Sequence, residues 1–197
     1  MEKLDNIEIS KGTLLLIVDA QQDFINGSLA IKTAPEAMNG LASWLKKTKN
    51  NYDAIVLTAD WHPTTHCSFA EFGGEWPSHC VQFSTGSAIY QPILDAINDK
   101  HYEVLTKGIN ETHEEYSIFK NEDSRKKLSN IVRYGKIEQI DVCGLAGDIC
   151  VFDSIKDGLR EFPNMKFRFI KPFSPFIGNG EDTISFLENT ERCSIAA

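Results

Sequence analysis

Apolar and polar positions follow two alternating regimes along the chain. Four short runs dense in large apolar and β-branched residues, Thr13–Asp19 (TLLLIVD), Ala54–Asp60 (AIVLTAD), Ile137–Cys143 (IEQIDVC) and Met165–Lys171 (MKFRFIK), have the length and make-up of strands. Tyr102–Lys107 (YEVLTK) is a weaker fifth. Between most of them the apolar positions switch to helical spacing, over Pro35–Lys47, Asp123–Tyr134 and Asp148–Glu161; a proline opens the first and a Gly-containing turn precedes the last. A further helix is expected over Glu181–Glu188. Strand alternating with helix predicts a single doubly wound, Rossmann-like α/β domain over residues 1–197, a parallel sheet with helices on both faces.

Two segments break the alternation, Gln21–Lys32 and Trp61–Tyr90. The second runs to about thirty residues rich in Gly, Pro, His and aromatic side chains, too long for a mere connection, so function is expected there. No internal repeat, low-complexity tract or linker divides the chain.

Composition narrows the classes. An apolar share of 42% and a charged share of 24% suit a soluble globular protein and exclude a disordered or fibrous one. A formal charge of −8 with no extended Lys/Arg stripe argues against a nucleic-acid partner, and Arg125-Lys126-Lys127 reads as a solvated helix face. No apolar run approaches the roughly 20 residues of a membrane helix. The polar start MEKLDNIEISK lacks the hydrophobic segment of a signal peptide, so a cytoplasmic location with no membrane partner is expected. Five cysteines, Cys67, Cys80, Cys143, Cys150 and Cys193, are odd in number and scattered, which predicts reduced thiols.

Open parallel sheets bind ligands outside the carboxyl ends of their strands. The predicted elements put Asp19, Asp60 and Lys107 at three such ends and Cys150 at the start of the helix following Ile137–Cys143, so acid, metal-type donor, cation and thiol would share one edge. A thiol at a helix N-terminus beside a lysine has a stabilised thiolate, yet Cys150 taken alone reads more readily as a small buried hydrophobe. Asp19 suits a general base or a turn-forming aspartate, and Lys107 a partner of Asp19 or a surface lysine. Cys143, inside a strand, reads as core.

The stretch from Asp60 to His79 is more informative. It holds His62, His66 and His79, three of the chain's five histidines, beside the Asp60 carboxylate. Mixed His/Asp donors suit zinc or another first-row divalent ion, and three protein ligands leave positions open for chemistry. An aromatic-rich loop whose histidines bond to backbone is the alternative, as is a closed structural zinc site built from Cys67 and Cys80 with two histidines.

The ordered motifs Ile17-Val18-Asp19-Ala20-Gln21-Gln22-Asp23-Phe24, Gly27-Ser28-Leu29-Ala30, Asp60-Trp61-His62-Pro63 with His66 and Ser68-Phe69, Trp76-Pro77-Ser78-His79-Cys80-Val81, Lys107-Gly108, Tyr116-Ser117-Ile118-Phe119, and Gly144 to Val151 span nearly the whole chain. Together they resemble the nicotinamidases (pyrazinamidases) of the isochorismatase-like cysteine hydrolases. The resemblance implies a catalytic triad of Asp19, Lys107 and Cys150. It implies one divalent metal, zinc first with iron or manganese as alternatives, held by Asp60, His62 and His79, with His66 a fourth ligand or a partner behind the ligands. It implies substrate contacts from Phe24, Gln21 and Trp76, and an oxyanion held by the backbone N–H groups of Gly147 and Cys150.

The implied reaction is hydrolysis of nicotinamide to nicotinate and ammonia through a cysteine thioester, with the pyridine ring on the metal. It would serve NAD salvage and extend to pyrazinamide, with the small molecule as partner and a homo-oligomer compatible with the sequence. Two positions depart from the family pattern. Gly147 stands where relatives commonly carry Thr, beside a peptide bond expected to be cis at Ala146–Gly147, and Ile149 stands where an aromatic or His is frequent. A hydrolase of the same superfamily acting on another small amide, ureido compound or vinyl ether is the nearest rival reading. A non-catalytic, zinc-stabilised interaction domain is the rival from another class.

Overall fold

Leu14 to Val18 are all fully buried, and a strand buried along its whole length needs cover on both faces. The computed structural model describes residues 7–197 and shows that cover; residues 1–6, the first part of the polar start, lie outside the described residues. Strands β1 (Thr13–Val18), β2 (Ala54–Asp60), β3 (Glu103–Lys107), β4 (Gln139–Gly144), β5 (Lys166–Ile170) and β6 (Cys193–Ala196) form one sheet in the order β3-β2-β1-β4-β5-β6. Every neighbouring pair is parallel. Helices α1 (Gln22–Asn26), α2 (Ala34–Thr48) and α3 (Gln91–Ile97) cover one face, and α4 (Glu122–Gly135), α5 (Cys150–Glu161) and α6 (Glu181–Glu188) the other. Alternate residues of β1 divide between the two cores: Leu15 and Ile17 pack with Met38, Leu41 and Ile93, while Leu14, Leu16 and Val18 pack with Leu128, Val151 and Ile155.

The predicted doubly wound sheet is therefore the observed one, with three additions. Strand β6 is a four-residue, half-buried edge strand carrying no apolar run, so no periodicity marks it. Helices α1 and α3 are five and seven residues long, too short to stand out from the loops around them. Helix α5 begins at Cys150, two residues later than the spacing predicts, because residues 147–149 form a tight turn in which Ile149 N–H donates to Ala146 O at 3.1 Å and Ile149 is not helical (φ −125°, ψ −94°). The five cysteines are all free. Among the described residues no helix is long and apolar enough to cross a membrane.

Strand order reverses between β1 and β4, and loops leaving the carboxyl ends of these neighbours run to opposite faces and open a crevice. One buried carboxylate ties β4 to β5 and to Tyr52, which precedes β2. Asp141 of β4 accepts hydrogen bonds from Tyr52 Oη at 2.8 Å, Gln139 Nε2 at 2.8 Å and Arg168 Nε at 2.9 Å. Removing one partner of such a network strands the others without water. Asp141→Ala is expected to lower the unfolding free energy by about 3–5 kcal/mol, read from equilibrium urea denaturation; a loss below about 1 kcal/mol, the scale of an exposed pair, would show that the network is not buried in effect.

Candidate active site

The acid, the lysine and the thiol meet at the crevice. Asp19 follows the last residue of β1 with a left-handed backbone (φ 47°) that turns its carboxylate back over the sheet edge, a conformation Asp tolerates better than most residues. Its N–H donates to Thr58 O at 3.2 Å, and Thr58 Oγ1 donates to Asp19 Oδ1 at 2.6 Å. Lys107 ends β3 in register with Asp60 at the end of β2. Its fully buried ammonium lies 2.8 Å from Asp19 Oδ2, 2.5 Å from Asp60 Oδ1 and 3.6 Å from Cys150 Sγ. One donor atom each from Asp19, Asp60 and Cys150 fall within 4.8 Å of one another.

Burial governs the protonation of this group. It pushes the Asp19 carboxyl up to about 6 against the opposing pull of Lys107, with Asp60 adding to the rise. Burial also pushes the Cys150 thiol well above its ordinary value, Lys107 offsetting only part of this. Burial thus disfavours the thiolate that a helix N-terminus and a lysine would favour, and Cys150 is held as a neutral thiol near the Asp19 carboxylate. Lys107 itself would be discharged by burial, but Asp19 and Asp60 outweigh that and hold it charged. Burial likewise opposes ionisation of Asp60, yet Lys107 and His62 hold its carboxyl below the usual range.

Beside the thiol, Asp60, His62 and His79 offer three buried donor atoms within 4.8 Å of one another. The loop carrying them is pinned by a short parallel bridge between His62 and Val81, in which His62 N–H donates to Cys80 O at 3.1 Å and Gln82 N–H donates to His62 O at 2.8 Å. The Nδ1 atoms of His62 and His79 are engaged with the backbone oxygens of Gly108 (2.9 Å) and Pro77 (2.8 Å). This fixes the tautomer and leaves both Nε2 lone pairs for an ion, the orientation that metal-binding histidines adopt. The close approach requires glycine at 108, where a Cβ would lie 2.3 Å from the His62 ring. Burial lowers His79, so its imidazole is neutral, whereas Asp60 raises His62 despite burial, so an arriving cation displaces a proton there. The donor set fits a divalent metal ion.

His66 stands apart from these three. Its ring stacks on His62 at 4.0 Å, with Nδ1 2.7 Å from Ser68 Oγ and Nε2 3.2 Å from His113 O. Both nitrogens are occupied, so it supports the His62 ring from behind. The closed site recruiting Cys67 and Cys80 is not formed among the described residues: Cys80 joins the apolar core and Cys67 sits half-buried in the loop.

A narrow cavity opens beside these groups, bordered by Asp60, His79 and Cys150 and walled by Phe24, Trp76 and Tyr116. Phe24 and Trp76, for which the resemblance implies substrate contacts, both border this cavity. Tyr116 escaped the sequence reading as a wall residue although it falls in a matching motif; its phenol accepts from Trp76 Nε1 at 3.0 Å and braces the indole. Glu114, Leu29, Ile149 and Ile177 also border the cavity; Leu29 falls in a matching motif, whereas nothing in the sequence marks Glu114 or Ile177.

Three expectations are corrected. Gln21 does not face the cavity: its side chain is fully buried, Nε2 donates to Asp60 O (2.8 Å) and Ser87 O (2.9 Å), and Oε1 accepts from Asp60 N–H (2.8 Å). With both donors and the acceptor used, the amide extends the ladder past the end of β1 and has nothing left for a substrate. Gly147 is not free to hold an oxyanion, because its N–H donates to Pro175 O at 2.8 Å. The N–H groups of Ala146 and Cys150 have no protein acceptor among the described residues, and both residues border the cavity. The cis peptide bond joins Leu145 to Ala146, one residue earlier than expected.

A base, a thiol and a charged lysine gathered at the carboxyl edge of a doubly wound sheet make a nucleophilic hydrolase arrangement, and residues 13–161 match the isochorismatase domain: the chain belongs to that family. Within it, the similarity is to nicotinamidases. The nicotinamidase/pyrazinamidase of Mycobacterium tuberculosis is 33% identical over 188 residues, 92% of this chain and 95% of that protein. The nicotinamidase of Escherichia coli is 32% identical over 167 residues, 74% and 76% of the two chains. Among solved structures, PnC1 from L. infantum in complex with nicotinate superposes with a TM-score of 0.82 at 26% identity, covering 96% of this chain and 94% of that one. The pyrazinamidase of Pyrococcus horikoshii in complex with zinc does so with a TM-score of 0.77 at 26% identity, covering 93% and 98%.

Zinc affinity, read by competition with a chromophoric chelator, separates ligands from supports. His79→Ala should lose more than about 100-fold and His66→Asn about 10–100-fold, the scale of groups that orient a ligand. Equal losses would move His66 among the ligands.

Proposed function

We propose that the chain is a metal-dependent cysteine amidohydrolase that converts nicotinamide to nicotinate and ammonia, accepts pyrazinamide, and so serves NAD salvage. The observation that carries the reading is that one cavity is bordered at once by the Cys150 nucleophile, by Asp60 and His79 of the donor cluster, and by the flat walls of Phe24 and Trp76. A planar ring with a nitrogen acceptor on one side and a carboxamide on another matches that combination, and the relatives bearing these names support it.

Asp60, His62 and His79 would hold the metal; zinc suits two imidazoles and a carboxylate, as do iron and manganese. When bound, the ion supplies a Lewis-acidic anchor for the ring nitrogen. Asp19 Oδ2 is the one buried side-chain polar atom among the described residues without a hydrogen-bond partner, although Lys107 lies beside it as an ion pair. That free lone pair is the acceptor for the Cys150 thiol proton. As the proton leaves, Sγ attacks the carboxamide carbon, and the nearby ammonium of Lys107 stabilises the charge on sulfur. The tetrahedral oxyanion is held by the N–H groups of Ala146 and Cys150, each such donor contributing about 3 kcal/mol. Asp19 then passes its proton to the nitrogen, so ammonia departs instead of an amide anion, leaving a thioester on Cys150. Water gives a proton to Asp19 and attacks the thioester; nicotinate is released and the proton returns to sulfur. Reduced cysteines of this kind fit a cytoplasmic enzyme.

Ammonia release from nicotinamide by the zinc-loaded protein tests the reading directly. Turnover should vanish in Cys150→Ala and fall on chelation, returning when metal is restored; wild-type-like turnover by Cys150→Ala would overturn the mechanism. Asp19 must be ionised to act as base, so kcat/KM should rise as the pH passes upward through about 6 and level off above it. A cation beside Asp60 favours the ionised carboxylate and moves that limb lower, so a limb well above this value would remove Asp19 from the role.

A further inference from the structure

The segment from Ser174 to Gly180, between β5 and α6, crosses the nucleophile turn as a strap. Three hydrogen bonds tie it to the residues just before Cys150. Gly147 N–H donates to Pro175 O at 2.8 Å, and the Asp148 carboxylate accepts from Ile177 N–H at 2.9 Å and Gly178 N–H at 2.7 Å. Glycine at 147 permits the approach: a Cβ there would lie 2.3 Å from Ser174 O and 2.7 Å from the Phe176 ring. The same Phe176 ring stacks on Phe169 of β5 at 6.1 Å with an interplanar angle of 3°. The strap is thus seated on the sheet on one side and tied to the turn bearing the nucleophile on the other. The outcome is that Ile177, a large apolar side chain left 44% exposed, is held at the rim of the catalytic cavity, which Ile149 also borders.

A large aliphatic side chain kept half in water while its own backbone is doubly anchored gains nothing from burial in the core. Its place at the cavity rim accounts for it. Resting on the amidase reading above, we propose that the strap is a specificity wall, with Ile177 the residue that refuses carboxamides bearing a ring substituent on the side it faces. The wall and the nucleophile share the Asp148 and Gly147 anchors, so the rim cannot drift outward to admit a larger ring without disturbing the turn that presents Cys150.

The test compares the metal-loaded wild type with Ile177→Ala on nicotinamide and on the singly methylated nicotinamides, one for each free ring carbon. One methyl group fitted or refused by an apolar wall changes kcat/KM by about 10–200-fold. Ile177→Ala should therefore raise the kcat/KM ratio of at least one methylated amide over nicotinamide by about 10-fold or more. A loss of fold or of general activity scales all substrates alike and leaves these ratios fixed. If nicotinamide is hydrolysed and every ratio stays within about threefold of wild type, the wall is overturned while the amidase reading stands. If the metal-loaded wild type hydrolyses none of the ring amides, the amidase reading fails and the wall with it.

Discussion

A lysine ammonium with no exposure to water persists only where neighbouring carboxylates replace the hydration it loses. Lys107 is such a group, and the site is organised around it. Asp19 and Asp60 flank its ammonium, one from the acid that serves the thiol and the other from the donor cluster. Neither half is independent of the other. Without Lys107 two buried carboxylates would repel across the crevice, and one of them would take up a proton; with it, Asp60 stays anionic for a metal while Asp19 keeps a pKa close to neutral. The register of the sheet makes this contact, since Lys107 and Asp60 are paired residues at the ends of adjacent parallel strands.

The same crowding explains why the thiol rests protonated. A permanently ionised sulfur in this dry edge, close to two carboxylates, would be costly, and the proposed mechanism generates the charge only when Asp19 takes the proton. Ground-state neutrality of the nucleophile and a raised acid beside it are two consequences of one desolvated environment.

Long irregular segments carry most of the functional groups, and buried polar side chains hold those segments in place. Gln21 spans three backbone groups and continues the β1–β2 ladder where β1 has stopped. Asp23 does comparable service, accepting from Cys80 N–H at 2.7 Å, next to His79. These residues sit in the motif that also supplies Asp19, so the first loop after β1 positions both Asp19 and the loop that carries the Asp60–His62–His79 donor cluster. The family resemblance implied a substrate contact for Gln21, while its hydrogen bonds show a structural brace.

Much of this was legible before any coordinates. The buried strands announce themselves as continuous apolar runs, as in TLLLIV, because a doubly covered strand has no polar face, and a parallel sheet sends all its strand ends to one edge. Asp19, Asp60 and Lys107 could be placed there from strand ends alone, and Cys150 from the start of a helix. Edge strand β6 and the short α1 and α3 could not, since a few half-buried residues leave no period to read. Local pattern also could not say which N–H of the turn before Cys150 is free, since Gly147 is engaged by a carbonyl twenty-eight positions away, Pro175. The roles of His66, Tyr116 and Ile177 likewise depend on which loops meet. Periodicity records how each segment buries its own side chains, so fold class and strand ends follow from the chain; which atoms remain unpaired at the crevice depends on contacts between segments distant in sequence, and only the folded structure decides them.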